Sequence, residues 1–246
     1  MLLGWIIVFS ILGSLGAIAG AALMLLFPAN ARKSILPYLI SYATGTLLGA
    51  AFLGMIPKAL GHASPIAVCG TVLAGILLFF ALEKILLWRH CHDEDCEVHS
   101  NSGPLLLIGD AFHNFVDGFV IAAAFLTSIP FGIAASLAVI AHEIPQEVGD
   151  FAILLENGYS RLKALILNSL SSITTLPGAI IAYYFLGETQ QAIPYILALS
   201  AASFIYIALA DLIPGLHHKT TTGSALLQFI LIAAGIGTIG LIQFAH

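Results

Sequence analysis

Charge is what this sequence has least of. Only 9% of its 246 residues are Asp, Glu, Lys or Arg, against about 25% in soluble domains, and that excludes an ordinary water-soluble fold. Cysteine is sparse too. Of the three present, Cys69 lies in an apolar run and Cys91 and Cys96 in a polar loop, so no disulfide framework is expected and reduced thiols are. The eight Lys and Arg residues form no basic stripe, which removes nucleic acid from the expected partners. The formal net charge of −5 says little about partners, because the charges sit in loops and in particular apolar stretches. The opening segment, Met1 to Phe27, lacks a basic leader and a small-residue cleavage site and is too long for a signal-peptide core, so it reads as a first span.

What fills the chain instead is hydrocarbon: 59% of residues are hydrophobic and the mean hydropathy is +1.02. Apolar runs of the length that crosses a bilayer, about 20 residues, recur from end to end and leave no room for a sizeable soluble domain. Breaks made of Pro, Gly and charge divide them into eight expected spans, at 2–27, 35–57, 64–88, 104–127, 130–156, 161–186, 191–214 and 224–245. The expected fold is therefore all-α: a polytopic membrane bundle of eight transmembrane helices, one domain over residues 1–246, with a polar loop at 89–103. Cytoplasmic loops carry the excess of Lys and Arg. Arg32, Lys33, Lys84, Arg89, Arg161, Lys163 and Lys219 mark the odd-numbered loops, and only Lys58 marks the others. Both termini are thus expected on the extracellular or periplasmic side.

Small-residue pairs such as Gly16 with Gly20 and Gly45 with Gly49 are packing signals, since close backbone approach is what draws helices together in lipid. They also allow a homodimer. Pro57, Pro145, Pro177 and Pro214 fall within or at the ends of spans, where each withholds a backbone donor. At Pro145 a kink is expected, with the carbonyl of Ala141 released beside His142.

Chemistry concentrates in two neighbouring spans. The fourth reads Gly109-Asp110-Ala111-Phe112-His113-Asn114-Phe115-Val116-Asp117-Gly118, and positions 110, 113, 114 and 117 share one helical face. In the fifth, His142-Glu143-Ile144-Pro145-Gln146-Glu147-Val148-Gly149-Asp150 puts 142, 143, 146, 147 and 150 on one side. A charge at the bilayer centre costs at least about 2.5 to 3.5 kcal/mol on insertion scales. Neither stretch contains Lys or Arg, so cations or protons must balance the carboxylates. Imidazole with carboxylate suits zinc, iron, manganese and similar ions, and the lack of sulfur argues against copper(I). His113 with Asp117 and His142 with Gln146 are i,i+4 pairs, each able to pinch one ion. Polar glue between helices would explain an isolated Asn or His but accounts poorly for so dense a cluster; for Asp110, Glu147 and Asp150, at its edge, the two explanations stand level.

Elsewhere the signals are weaker. Asp211 reads as an interfacial residue or a secondary gate, and Asn168, Ser169, Ser171 and Ser172 form a sixth-span patch that either packs or approaches the cluster. The third loop, from His90 through Cys91, His92, Asp93, Glu94, Asp95, Cys96 and Glu97 to His99, is dense in ligands but matches no closed zinc motif, and reads as a capture loop or a solvated acidic linker.

At His113-Asn114-x-x-Asp117-Gly118 and His142-Glu143-x-Pro145 the chain resembles the ZIP (Zrt/Irt-like) family of metal transporters. The stretch from His142 to Leu155 looks most like the branch whose animal members carry long extracellular domains, a domain not expected here. The likeness extends to Gly45–Pro57, Phe204–Pro214 and the third loop. It implies eight spans with both termini outside, and import of zinc or related ions into the cytosol by a multi-pass protein of the plasma or inner membrane. It also implies a binuclear site ligated by His113, Asn114, Asp117, His142, Glu143 and position 146; Asp110 and Glu147 are candidate metal ligands from their place on the two polar stripes alone. Gln146 stands where many members have His or Glu, Leu176 where some have Glu, and Ala50 and Gly54 where others have Asp and His. The resemblance further implies that spans one, four, five and six move as a unit against the rest. Two rival readings of the residues meet specific obstacles. A metalloprotease needs a second His where Gln146 stands, and a proton-coupled carrier of organic solutes needs a roomier site with fewer convergent ligands.

Overall fold

The computed structural model describes residues 1–88, 102–216 and 222–244. The ligand-rich segment 90–99, together with Arg89 and Lys219 of the charge argument, lies outside the described residues, as does the side chain of Asp211. Among the described residues there is helix and no strand, as the composition requires.

Among the described residues, eight helical rods follow one another. The first is Leu2–Leu26. The second runs from Ala29–Gly49 through a wide π turn, Ala50–Met55, into Ile56–Leu60. The third is Pro65–Trp88, the fourth Ser102–Thr127 and the fifth Ile129–Glu156. Arg161–Ser172 and Thr175–Glu188 form the sixth. The seventh joins Ile193–Tyr206, a second π turn at Ile207–Leu212 and Ile213–Leu216, and the eighth is Thr222–Phe244. Seven of the eight are long and apolar enough to cross a membrane. The fifth is the one left out on composition because it carries the ionisable stripe, yet its 28 residues extend about 42 Å, more than the roughly 30 Å hydrocarbon core. Leu73, Leu77, Phe80, Phe229 and Leu241 are among many large apolar side chains left exposed, a surface suited to lipid and not to water. The chain is an integral, multi-pass membrane protein.

One boundary moves appreciably. The second helix begins at Ala29 and not near 35, with Pro28 just before its first residue, a position where the missing N–H costs nothing. Arg32 and Lys33 therefore lie on the helix and not in a loop.

The prolines act in three different ways. Pro57 and Pro214 cannot donate to the carbonyls four residues back, at 53 and 210, and both of those positions fall inside the π turns. The widened turn absorbs the missing bond and the clash of the ring. Both turns occupy equivalent places in an Ala-x-x-x-x-Ile-Pro sequence, at 51–57 and 208–214. Pro177 instead breaks the sixth span: the amide of Leu176 bonds back only to Ile173 at 3.1 Å, and the hydroxyl of Thr174 donates to the carbonyl of Ala111 at 2.6 Å. Through Pro145 the fifth helix simply continues.

Packing sorts the rods. The first, fourth, fifth and sixth contact one another, the second packs along the eighth, and the third along the seventh. Glycine sets the tightest of these contacts. A Cβ at Gly118 would run into the Thr175 carbonyl, and one at Gly178 into that of Phe115, so the fourth and sixth backbones touch. The expected role of Gly45 and Gly49 holds inside the chain, where they face Ile232 and Ile236 of the eighth span, and Gly20 meets Ile144; Gly16 has nothing within 4 Å. Because Gly45 and Gly49 are used within the bundle, they do not supply the homodimer face suggested for them.

Candidate metal centre

A single residue, Ser128, separates the fourth and fifth helices. Its hydroxyl accepts from the Phe131 amide at 3.3 Å, and Pro130 opens the next helix. So short a turn makes the two helices antiparallel neighbours and brings their polar stripes face to face.

Four side chains converge between them: His113, Asp117, His142 and Glu143, each offering one ligand atom within 4.8 Å of the others. His113 Nε2 stands 3.1 Å from His142 Nε2, 3.8 Å from Asp117 Oδ2 and 3.4 Å from Glu143 Oε1. His142 Nε2 is 3.2 Å from Asp117 Oδ2 and 3.5 Å from Glu143 Oε1. An ion held tetrahedrally with bonds of about 2.0 to 2.1 Å has ligand–ligand edges of about 3.3 to 3.4 Å. These five separations bracket that edge, so the ligand atoms already lie near the corners such an ion requires.

The orientation of His142 is enforced locally. Its Nδ1 lies 3.0 Å from the Ala138 carbonyl, which can only accept, so Nδ1 carries the proton and Nε2 presents a lone pair to the centre. The ring also lies edge-on to Phe204 of the seventh span, centroids 5.7 Å apart. The helix thus uses the carbonyl of Ala138 to aim the imidazole.

Asp117 is fully buried and Glu143 nearly so, and among the described residues the polar neighbours of their carboxylates are the two imidazoles, at 3.2 to 3.8 Å. Buried carboxylates with so few donors are expensive. A divalent cation fits what this donor set lacks.

The other expected ligands are tied into hydrogen bonds beside it. Asn114 donates to Asp110 Oδ1 at 3.0 Å and its own oxygen accepts from Thr175 at 3.0 Å; Gln146 donates to the same Asp110 oxygen at 3.2 Å. Asp110 and Glu147 are buried and form a second group with Glu143, again within 4.8 Å. Asp150 is buried one turn farther on. Asn168 donates to both the backbone and the carboxylate of Glu147, so the sixth-span patch does reach the cluster. Thr175 is the contact that sequence reasoning missed; its only signal was a position just before Pro177.

Toward the Ser128 turn the centre is capped by packed apolar side chains, including Ile121, Phe125, Phe131 and Val139, all at most 1% exposed. Toward residues 102 and 156 the centre is followed by the polar side chains of Asp110, Gln146, Glu147 and Asn168 and, beyond them, by an apolar cluster of Phe151, Leu154 and Ala164, while the His113 side chain keeps 18% exposure.

Fold and site together define a multi-pass helical membrane protein with a cation-sized cluster of imidazole and carboxylate between two spans. The family described as ZIP Zinc transporter matches residues 88–243, and the chain belongs to it. It is 35% identical over 217 residues to the Zinc transporter ZIP13 of Pongo abelii, covering 82% of this chain and 65% of that protein. Against the Zinc transporter foi of Drosophila melanogaster the identity is 41% over 140 residues, covering 56% of this chain and 20% of that one. Against the Zinc transporter ZIP4 of Homo sapiens it is 43% over 112 residues, covering 46% and 17%. The chain spans less than two thirds of the length of each of these three relatives.

Proposed function

We propose that this chain carries divalent transition-metal ions, zinc foremost with iron, manganese and cadmium as further substrates, across the bilayer into the cytosol. The observation that carries the reading is the set of near-tetrahedral separations among His113, Asp117, His142 and Glu143. Asn114, Gln146, Asp110 and Glu147 surround that centre and set its charge and orientation. Membership in a family whose named relatives are zinc transporters supports the same reading.

The orientation follows from the basic residues: both termini outside, with the helix ends at residues 102 and 156 facing the cytosol, in the plasma or inner membrane. In this arrangement the ion reaches the centre from outside only when the apolar cap around Phe125 and Phe131 opens. The mutual packing of spans one, four, five and six supports a rigid unit that carries the centre past the other spans, with His142 against Phe204 at the sliding boundary.

Radiotracer zinc uptake by proteoliposomes is the direct test. Uptake above that of protein-free vesicles is expected, and its absence would sink the proposal. A Glu143→Gln variant in a peptidase assay separates the protease reading, since a hydrolase must show activity that this change abolishes. A smaller effect is expected at Thr175, which holds Asn114 and through it Asp110. Thr175→Val should weaken zinc binding about tenfold, the lower end of what an orienting residue contributes, measured by competition against a fluorescent chelator.

A further inference from the structure

We propose that Gln243, in the eighth span, is a positioning residue of the outer cap: its side-chain amide is held without a partner while the cap is closed and gains one when the cap opens, which biases the chain toward admitting an ion. This rests on the reading of the four-ligand centre as the transport site and adds the step by which that centre meets the outside.

The place is a junction of three spans. Gly54 lies buried in the wide turn Ala50–Met55, and that turn packs against both the fifth and the eighth spans. A Cβ at Gly54 would stand 2.8 Å from the Phe131 ring and 3.1 Å from Nε2 of Gln243. Glycine there leaves a notch, and the ring and the amide fill it together. Phe125, the other aromatic side chain of the cap, lies on Gly132 and beside Phe9 of the first span, inside the group of spans one, four, five and six. Phe131 is the cap ring that crosses to the second and eighth spans, so its withdrawal from the notch is the movement that uncovers the centre from outside.

Packing alone gives the amide no reason to be there. The eighth span meets the second through Ile232, Gly235, Ile236 and Ile239. Gln243 continues that face one turn on, where an apolar side chain would pack as well. A glutamine near the end of a span can turn its amide out to water, yet Nε2 of Gln243 is buried and has no hydrogen-bond partner among the described residues. A buried donor left unmade raises the energy of the state that contains it.

Once Phe131 withdraws, water and the hydration shell of an entering cation reach the amide, and that cost disappears. Gln243 thus interacts differently with the closed and the open cap, which is what shifting an equilibrium between two states requires. An amide carries no charge. It eases opening without holding a divalent ion at the mouth as tightly as a carboxylate would, and passage needs weak intermediate stops.

The test uses the reconstituted full chain with its three cysteines replaced by serine and Ile121→Cys as a reporter, at a cap position that is 0% exposed. Labelling from outside by a membrane-impermeant thiosulfonate then reads cap opening. Gln243→Met keeps the volume and removes the amide. It is expected to slow labelling at least about fivefold, the smallest shift that an unmade buried hydrogen bond implies. The KM for external zinc should rise by a similar factor, because the competent state is less populated. Gly54→Ala, whose Cβ competes with the Phe131 ring for the notch, is expected to speed labelling instead. Labelling unchanged by Gln243→Met, or both variants shifting it the same way, overturns the proposal. Should Gln243→Met fail to fold, Gly54→Ala decides alone, and an unchanged or slower rate overturns it. Absence of both labelling and zinc uptake in every form of the chain would instead overturn the transport reading, so the two failures are distinguishable.

Discussion

Replacing His142 with alanine is expected to abolish zinc uptake and to weaken zinc binding by on the order of 100-fold or more. Substitution of residues that merely orient a ligand already costs 10- to 100-fold, and His142 is one of only two nitrogens in the centre. Its Nε2 makes the two shortest separations there, to His113 and Asp117, so alanine removes a ligand and leaves Asp117 without its nearest neighbour. Repacking does not compensate, because the Ala138 carbonyl that aimed the ring loses its donor as well. The measurement is paired: proteoliposome uptake, and zinc affinity of the same preparation after size-exclusion has shown it folded. Uptake equal to wild type would remove His142 from the centre. Loss of uptake with affinity intact would place it at the gate with Phe204 and not among the ligands.

The second large effect concerns no ligand at all. Gly118→Leu is expected to cost at least about 3 kcal/mol of stability, the upper range for overpacking. Any Cβ there meets the Thr175 carbonyl and the Ala179 amide, and backbone held in helices cannot give way as a side-chain tip would. The fourth span must then shift, taking Asp117 and Asn114 with it. A fall in the thermal midpoint in detergent, together with loss of zinc-induced stabilisation, is the expected signature. Gly237→Ala, at a glycine whose added Cβ would meet nothing within 4 Å, serves as the control and should leave both unchanged. A Gly118→Leu protein that melts like wild type would mean the fourth and sixth helices do not touch as described.

Much of this molecule is legible in its sequence. The eight rods, the pairing of the fourth and fifth, and the facing stripes 110–117 and 142–150 all follow from hydropathy and from a 3.6-residue period, which are properties of single helices. The π turns are less visible. Pro57 and Pro214 signal that something must happen four residues back, but a proline can be met by a π turn, a break as at Pro177, or a continuous helix as at Pro145. Which occurs depends on what neighbouring helices offer to the freed groups.

The surroundings of Asn114 and Gln146 show the same limit more sharply. Motif position puts them among the ligands, and only the fold shows that both amides also donate to Asp110 and that Thr175 donates to Asn114 from the sixth span.

By itself, then, the sequence determined the solvent, the number of crossings and the chemical character of the site, because each of these depends on composition and on periodicity along one chain axis. Only the tertiary structure decided which imidazole nitrogens approach each other and the carboxylate oxygens to 3.1 to 3.8 Å and which amides serve as donors. Those separations are set by the rotation and translation of one helix against another, and backbone contacts at Gly118 and Gly178 fix the fourth helix against the sixth, contacts whose partners no single-helix pattern can name.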